Sequence, residues 1–369
     1  MNFPIAVLLL CALIGLADKM IGGRFGLAEE FDRGMTMMGS LTVTMSGVYC
    51  FSVMLGRLLS TVLQGVSLPL DPTILVSSVL ATDMGAYSIA DTLCTDYTQK
   101  IFSGVLLSAT LGTTISFSLP IALGSIPSKD SKNLMTGMVY GIIAIPVVLI
   151  IGSLLSGMAL TALLKSLLPV LLICALLGLC IFYGGEKAIR VFQRVGKGIN
   201  LLAIFLFVLI VLQVFLASDR FTLVDPSLIG EVLTIVSKIS VIVCGSFILS
   251  NLILKYFMHQ ILSLARKIHV NEFAIIGLLL NLINSVSMLS VFGKMDKRGQ
   301  LMNAASAVTS GFVFGGQLAF VSSVESNAVL AFILSKIAGG IVAMLIAILL
   351  SPPYDPENVY EENTILERS

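Results

Sequence analysis

Apolar runs long enough to cross a bilayer recur along this chain, separated by short polar turns. They lie at about 3–17, 36–63, 101–126, 133–156, 159–183, 198–217, 229–254, 300–323 and 327–351. A bilayer core about 30 Å thick takes roughly 20 helical residues, so each run predicts a membrane-spanning helix. The first run lacks a basic leader and a small-residue cleavage site, so it reads as a span and not as a removable signal. Two further stretches, 72–94 and 272–292, break in the middle: T-D-M-G-A from Thr82 divides the first and N-L-I-N-S from Asn281 the second. Each arm is about ten residues, which reaches about half-way through the hydrocarbon.

Such a stretch is either one broken span or a hairpin that enters and leaves by the same face. Charge decides between them, because cytoplasmic loops carry excess Lys and Arg. With two full crossings the basic residues divide almost evenly. With two hairpins one side collects Lys19, Arg24, Arg33, Lys129, Lys132, Lys187, Arg190, Arg194, Lys197, Lys255, Arg266, Lys267, Lys294, Lys297, Arg298 and Arg368. The other side keeps little beyond Arg57, Lys100, Lys165 and Arg220. The expectation is nine spans and two re-entrant hairpins, the N-terminus outside and the C-terminal tail in the cytoplasm.

This topology also predicts internal symmetry. Residues 36–156 and 229–351 share the order span, hairpin, broken span, span, and they enter from opposite faces. The fold class expected is therefore an all-α polytopic membrane protein with inverted-topology repeats, re-entrant hairpins and broken helices, a common plan for secondary transporters. Residues 1–35 form a first helix and an amphipathic loop. Residues 157–228 are linking helices with a basic cytoplasmic segment at 184–197, and residues 352–369 form an acidic cytoplasmic tail. A shift of 200 residues lays Asp96 on Asp296, one of few identities between the units.

Composition agrees. Of 369 residues 57% are apolar and 12% charged, against roughly 25% charged in a soluble domain, and the mean hydropathy is +1.01. That excludes a disordered chain and an ordinary soluble enzyme, and a net charge of +1 offers nothing to nucleic acid. Six cysteines without a C-x-x-C pair and two histidines near one basic loop predict neither a metal centre nor a cofactor. No nucleophile, phosphate-binding or dinucleotide motif occurs, so the chain reads as no enzyme. The composition implies membrane lipid as a partner and leaves self-association open.

Polar groups at mid-membrane are expensive and need a reason. Asp83 stands in the first hairpin's break beside Thr82, Met84 and Gly85, with Tyr87 one turn on. It suits a cation, with Gly85 allowing close backbone approach and Tyr87 offering a ring face or hydroxyl; it would also serve as a helix cap. Asn281 and Asn284 in the second break suit a hydroxyl or amine, or the broken helix's own backbone. Thr114, Ser116 and Gln317 lie in the broken spans, where small residues also serve close packing. Lys336 lies well inside the last span and either snorkels or pairs with a carboxylate of another element.

Several segments are similar to one family. E-E-F-D-R-G-M-T-M-M-G from Glu29, T-D-M-G-A from Thr82, S-L-P-I-A-L-G from Ser118, G-K-M-D-K-R-G from Gly293, F-G-G-Q-L-A-F from Phe314 and S-K-I-A-G-G from Ser335 resemble the ethanolamine-utilisation membrane transporter family, EutH, over nearly the whole chain. The resemblance implies a multi-pass protein of the bacterial inner (cytoplasmic) membrane that moves ethanolamine inward for its catabolism, with a small-molecule amine as its other partner. It carries over Asp83, Pro120, Asp296, Arg298 and Lys336. The family pattern places an Asp-His pair where this chain has Gly316-Gln317, so any role of that pair is filled differently here or not at all. Asp83 would then take the ammonium, with Thr82, Gly85 and Tyr87 beside it, and Asn281, Asn284, Gln317, Thr114 and Ser116 would take the hydroxyl. The alternatives are a transporter of another small polar solute such as a nucleoside or other amine, a membrane-embedded enzyme, and a sensor or assembly subunit.

Overall fold

The computed structural model describes residues 2–62, 71–216 and 223–353. These are helical, without a strand among them, and eight helical segments are long and apolar enough to cross a membrane. The acidic tail from 354 onward, including Arg368, and Arg220 lie outside the described residues.

Helix α1 (Phe3–Met20) ends at a buried carboxylate: Asp18 accepts the amides of Phe25, Leu27 and Ala28 at 2.9, 2.9 and 3.1 Å. Those amides open α2 (Ala28–Val62), with Glu29 and Glu30 in its first turn. Carboxylates there complement the positive end of the helix dipole. Residues 27–35, expected as an amphipathic loop, are therefore mostly the start of a helix that continues into the second span.

The first hairpin is α3 (Pro72–Val79), a kinked turn at Thr82–Ala86 and α4 (Tyr87–Leu93). Met84 (ψ 37°) and Gly85 (φ 94°) leave helical geometry within the turn. The hairpin returns to where it began, for the Cys94 thiol lies 3.7 Å from the Thr73 hydroxyl. Thr73 also donates to Ser103 at 3.0 Å, at the start of the span that follows. That span comprises α5 (Tyr97–Lys100), π-helical stretches at Ile101–Gly112 and Thr114–Ser118, and α6 (Leu119–Ser125). Wide π turns strain the hydrogen-bond ladder. Here the hydroxyls of Ser108, Thr110, Thr114 and Ser116 donate back to carbonyls four residues earlier at 2.6–2.8 Å, which keeps these polar groups satisfied without water.

Helix α7 (Ser131–Leu155) crosses next, and α8 is helical from Leu160 to Leu216. Two parts of α8, Leu160–Gly184 and Arg190–Leu216, are each long enough to span. Ser166 bonds Gln99 at one end of the broken span, Gly196 lies against Pro120 near its other end, and Ala203 returns to Ala81 and Met84 at the hairpin turn. The second part thus retraces the first. The basic segment 184–197 is helical. Burial sorts core from periphery: 78% of the central window of Tyr97–Ser125 is inside the protein, against 17% for Arg190–Leu216, so the broken span is the axis and α8 faces lipid.

Helix α9 (Pro226–Ile268) leads to the second hairpin, α10 (Glu272–Ile283) and α11 (Ser285–Phe292). It too closes on itself, since Asn271 donates its side chain to the Lys294 carbonyl at 2.8 Å and its amide to Asp296 at 2.9 Å. The expected span 300–323 is divided into α12 (Lys297–Thr309) and α13 (Gly316–Val324), with a non-helical turn between them. The amides of Phe312 and Phe314 in this turn donate to the carbonyls of Asn281 and Leu282 at 3.1 and 2.8 Å. Two interrupted segments thereby satisfy each other. Helix α14 (Val329–Leu350) completes the bundle.

The hairpin mouths lie at opposite ends of the molecule. The first adjoins Ser103. The second adjoins Asp130, beyond α6, because Gln300 on α12 bonds both Asp130 (3.1 Å) and the Phe292 carbonyl (3.2 Å). The 29 residues of Tyr97–Ser125 separate these ends by about 40 Å. Asp96 and Asp296 play matching parts, each capping the helix after its hairpin by accepting Thr98 N and Gly299 N at 3.0 and 3.1 Å. Arg298 ties the ends of α9 and α14 through the carbonyls of Ile268, Ile348 and Ser351 at 3.0–3.2 Å.

The hairpin turn should be sensitive at Gly85. A Cβ there would sit 2.6 Å from the Ser52 Cβ on a left-handed backbone, which alone costs about 1–2 kcal/mol. Gly85→Ala should lower the thermal unfolding midpoint in detergent, whereas Gly39→Ala, with open space around it, should leave it nearly unchanged.

Candidate functional site

The two hairpin tips, entering from opposite ends, meet at one cavity of about 80 Å³. Asp83 and Met84 line it from the first tip, and Ile283 and Asn284 from the second. Thr113 and Phe117 come from one broken span and Phe312, Gly316 and Gln317 from the other. Met37, Leu41, Thr44 and Met45 of α2 form the remaining wall. The space admits several waters or one small solute.

Its polar groups divide into free and committed ones. Asp83 is half-buried, and its carboxylate is bonded by its own backbone amide. It does not cap α4, whose first turn has no side-chain cap. Asn284 does cap: its Oδ1 accepts Val286 N at 2.9 Å, opening α11. That leaves its Nδ2, a donor, facing the cavity with the Met37 sulfur at 3.7 Å. The cavity thus offers an anionic oxygen from one tip and an amide N–H from the other, with the edge-to-face pair Phe117 and Phe312 (centroids 6.0 Å apart) in its wall.

Behind this wall runs a fixed chain of hydrogen bonds. Lys336, 1% exposed, donates to the Ala109 carbonyl and to Gln317 Oε1, both at 2.8 Å. Gln317 Nε2 donates to Thr113 Oγ1 at 2.7 Å, and Thr113 donates to the Ser108 carbonyl at 2.9 Å. A lysine ammonium only donates, so it fixes which end of the amide faces it. The chain ties α14 and α13 to the π-helical span. The Lys336 charge and the Asp83 charge act on one another without forming a direct ion pair.

Of the residues singled out from the sequence, the structure brings Asp83, Asn284 and Gln317 together. It places the others elsewhere. Thr82 donates to the Gly104 carbonyl at 2.9 Å. Gly85 packs on Ser52. Thr114 and Ser116 are consumed by their own helix. Asn281, fully buried, holds Ser306 (3.1 Å) and Ser285 (2.6 Å). Tyr87 bonds Glu325 at 3.1 Å and edges onto Phe320. Thr113, one residue from Thr114, and the phenylalanine pair were not anticipated. The two positions departing from the family pattern both face the cavity, and a side chain at Gly316 would find Ile239 at 3.6 Å, an ordinary contact.

A larger cavity of about 400 Å³ opens near the first hairpin's mouth, between Tyr49, Tyr87, Asp91, Glu231 and Lys238. Its acids are engaged: Tyr49 donates to Glu231 at 2.7 Å, and Lys100 bridges Asp91 and Glu325 at 3.0 and 2.8 Å. The smaller cavity is the better candidate because its carboxylate has no such partner.

Fold and site together define a multi-pass helical membrane protein with a small, mainly apolar cavity that carries a few polar groups, between two interrupted spans. The sequence pattern described as "Ethanolamine utilisation protein, EutH" matches residues 2–350, and the chain belongs to this family of the bacterial cytoplasmic membrane. It is 32% identical over 365 residues to a Listeria monocytogenes protein named probable ethanolamine permease EutH, covering 98% of this chain and 97% of that one. Proteins of the same name from Salmonella typhimurium and Escherichia coli are each 28% identical, covering 96% and 95% of this chain and 97% and 95% of their own. No solved structure matches.

Gln317→Leu should leave Lys336 and Thr113 each short of a partner in the interior. A stability loss of about 1–3 kcal/mol follows from the unmade bonds, read as a lowered thermal unfolding midpoint in detergent.

Proposed function

We propose that this protein transports ethanolamine, as ethanolammonium, across the bacterial cytoplasmic membrane by alternating access. It is read here as a transporter and not an enzyme. The observation that carries the proposal is that Asp83, whose carboxylate has no side-chain partner among the described residues, and Asn284, whose Nδ2 meets only the Met37 sulfur, line one small cavity. Ethanolammonium has a cationic end and an alcohol end joined by two carbons. The carboxylate matches the ammonium through charge-assisted hydrogen bonds, the Asn284 N–H matches the alcohol oxygen, and the phenylalanine rings face the short apolar link and the cation. The names of the three relatives point to the same substrate. A nucleoside, with several times as many atoms, suits a cavity of about 80 Å³ poorly.

We read residues 36–156 and 229–351 as two units of an inverted repeat, with 1–35 and 157–228 as flanking and linking segments. Hairpin mouths at opposite ends support this, as do tips meeting in the middle and the matching caps at Asp96 and Asp296. The distribution of Lys and Arg sets the second hairpin's mouth on the cytoplasmic side. The outer end is closed where Lys100 and Tyr87 hold Glu325 across the two units. Admitting substrate from outside requires that tie to part, and admitting it to the cytoplasm requires the second hairpin to shift.

Asp83→Asn keeps the shape and removes the charge. Truncating one partner of a buried charged pair costs about 2–5 kcal/mol, so affinity should fall by roughly one and a half to three and a half orders of magnitude. Saturable uptake of labelled ethanolamine into proteoliposomes should drop to the level of empty liposomes while the variant stays folded. Normal uptake by this variant would reject the assignment.

A further inference from the structure

We propose that Lys336 is the resident cation of the site and that an ethanolammonium bound at Asp83 displaces one proton from it, so that each cycle exchanges a cation inward for a proton outward and moves no net charge. This rests on the preceding reading of the substrate.

The site lies in a medium that tolerates little net charge. Empty, the site holds one carboxylate, Asp83, and one ammonium, Lys336, and is neutral. Lys336 is 1% exposed, so bulk solvent does not reach it in this conformation. Its bonded partners, the Ala109 carbonyl and Gln317 Oε1, are neutral, and the Phe332 ring lies 5.2 Å from its Nζ. Asp83 lines the same cavity as Gln317, the residue Lys336 bonds at 2.8 Å, and its charge acts on Lys336 from another element. Of the other charges on the elements around it, Arg298 is spent on the far ends of α9 and α14, and Lys100 is bound to Glu325 and Asp91. When an ammonium arrives at Asp83, two cations share one carboxylate in a buried site, a state without compensation. The group that can relieve it is Lys336, because a lysine, unlike an arginine, gives up its proton readily when buried.

The proton leaves Nζ for the water on the side to which the cavity is then open. The loaded site, with carboxylate, neutral Lys336 and substrate cation, is again neutral. After the substrate departs to the cytoplasm, Lys336 takes up a proton there, and the neutral empty site returns. A lysine acting only as a helix-to-helix staple would make the same hydrogen bonds and would not titrate with the substrate.

The test uses the purified full chain and ethanolamine itself, at a pH well below the amine's own titration. In weakly buffered detergent solution, wild type should release about one proton per ethanolamine bound. In proteoliposomes, uptake should respond less than twofold to an inside-negative potassium diffusion potential and should rise when the interior is made acidic. Lys336→Met should bind without releasing a proton and, where it still transports, its uptake should become voltage-driven. Binding without proton release by wild type, wild-type uptake that climbs with the potential, or proton release that survives in Lys336→Met would each overturn the proposal. If Lys336→Met does not fold, the two wild-type measurements decide the matter. Wild type that neither binds nor carries ethanolamine would instead overturn the substrate reading on which the proposal stands.

Discussion

In a bilayer, a chain that stops being helical must satisfy its exposed amides and carbonyls from protein alone. That constraint organises this molecule. The turn between α12 and α13 gives its amides to the carbonyls at the second hairpin's tip. The first hairpin's turn anchors Thr82 on the Gly104 carbonyl of the π-helical span. Each interruption is tolerated because another stands beside it, so the interruptions cluster at one level, and the polar groups left over face a common cavity.

A single carboxylate at that level has consequences for everything near it. Asp83 is set on a tip where the backbone turns through Gly85, and its neighbours satisfy their own needs through other contacts. The only buried ammonium near it among the described residues is on a helix of the other unit, held by the two broken spans. In the carrier we propose, charge, selectivity and the joint between the two proposed units lie in one place. Rearrangement of one unit against the other then alters the surroundings of both charges together.

The helical spans and the polar breaks within 72–94 and 272–292 were legible because segment length and polar interruptions are coarse signals that survive local irregularity. Asp83 and Gln317 were legible because isolated polar side chains amid apolar runs have few other reasons to exist. What failed was the assignment of faces. Tyr87 follows Asp83 by four residues and on a regular helix would share its face, but Met84 and Gly85 break the helix between them and turn Tyr87 toward Glu325. The hydroxyls of Thr113, Thr114 and Ser116 look alike in the sequence for a related reason. A π-helical stretch shifts the register of faces, so regular helical spacing cannot tell which hydroxyl points inward. Asn281 and Asn284 look alike in sequence, yet one lies within α10 and the other at its end, and only the end faces the cavity. The segment 27–35 misled because its charges, read as those of a loop, complement a helix terminus.

The most direct measurement is a cryo-electron microscopy structure of the full chain in lipid nanodiscs with saturating ethanolamine. The account predicts density for one small molecule between the hairpin tips, its amine within hydrogen-bonding distance of the Asp83 carboxylate and its alcohol at Asn284 Nδ2. A ligand seated instead in the outer cavity beside Glu231, with the space between the tips filled by side chains, would contradict it.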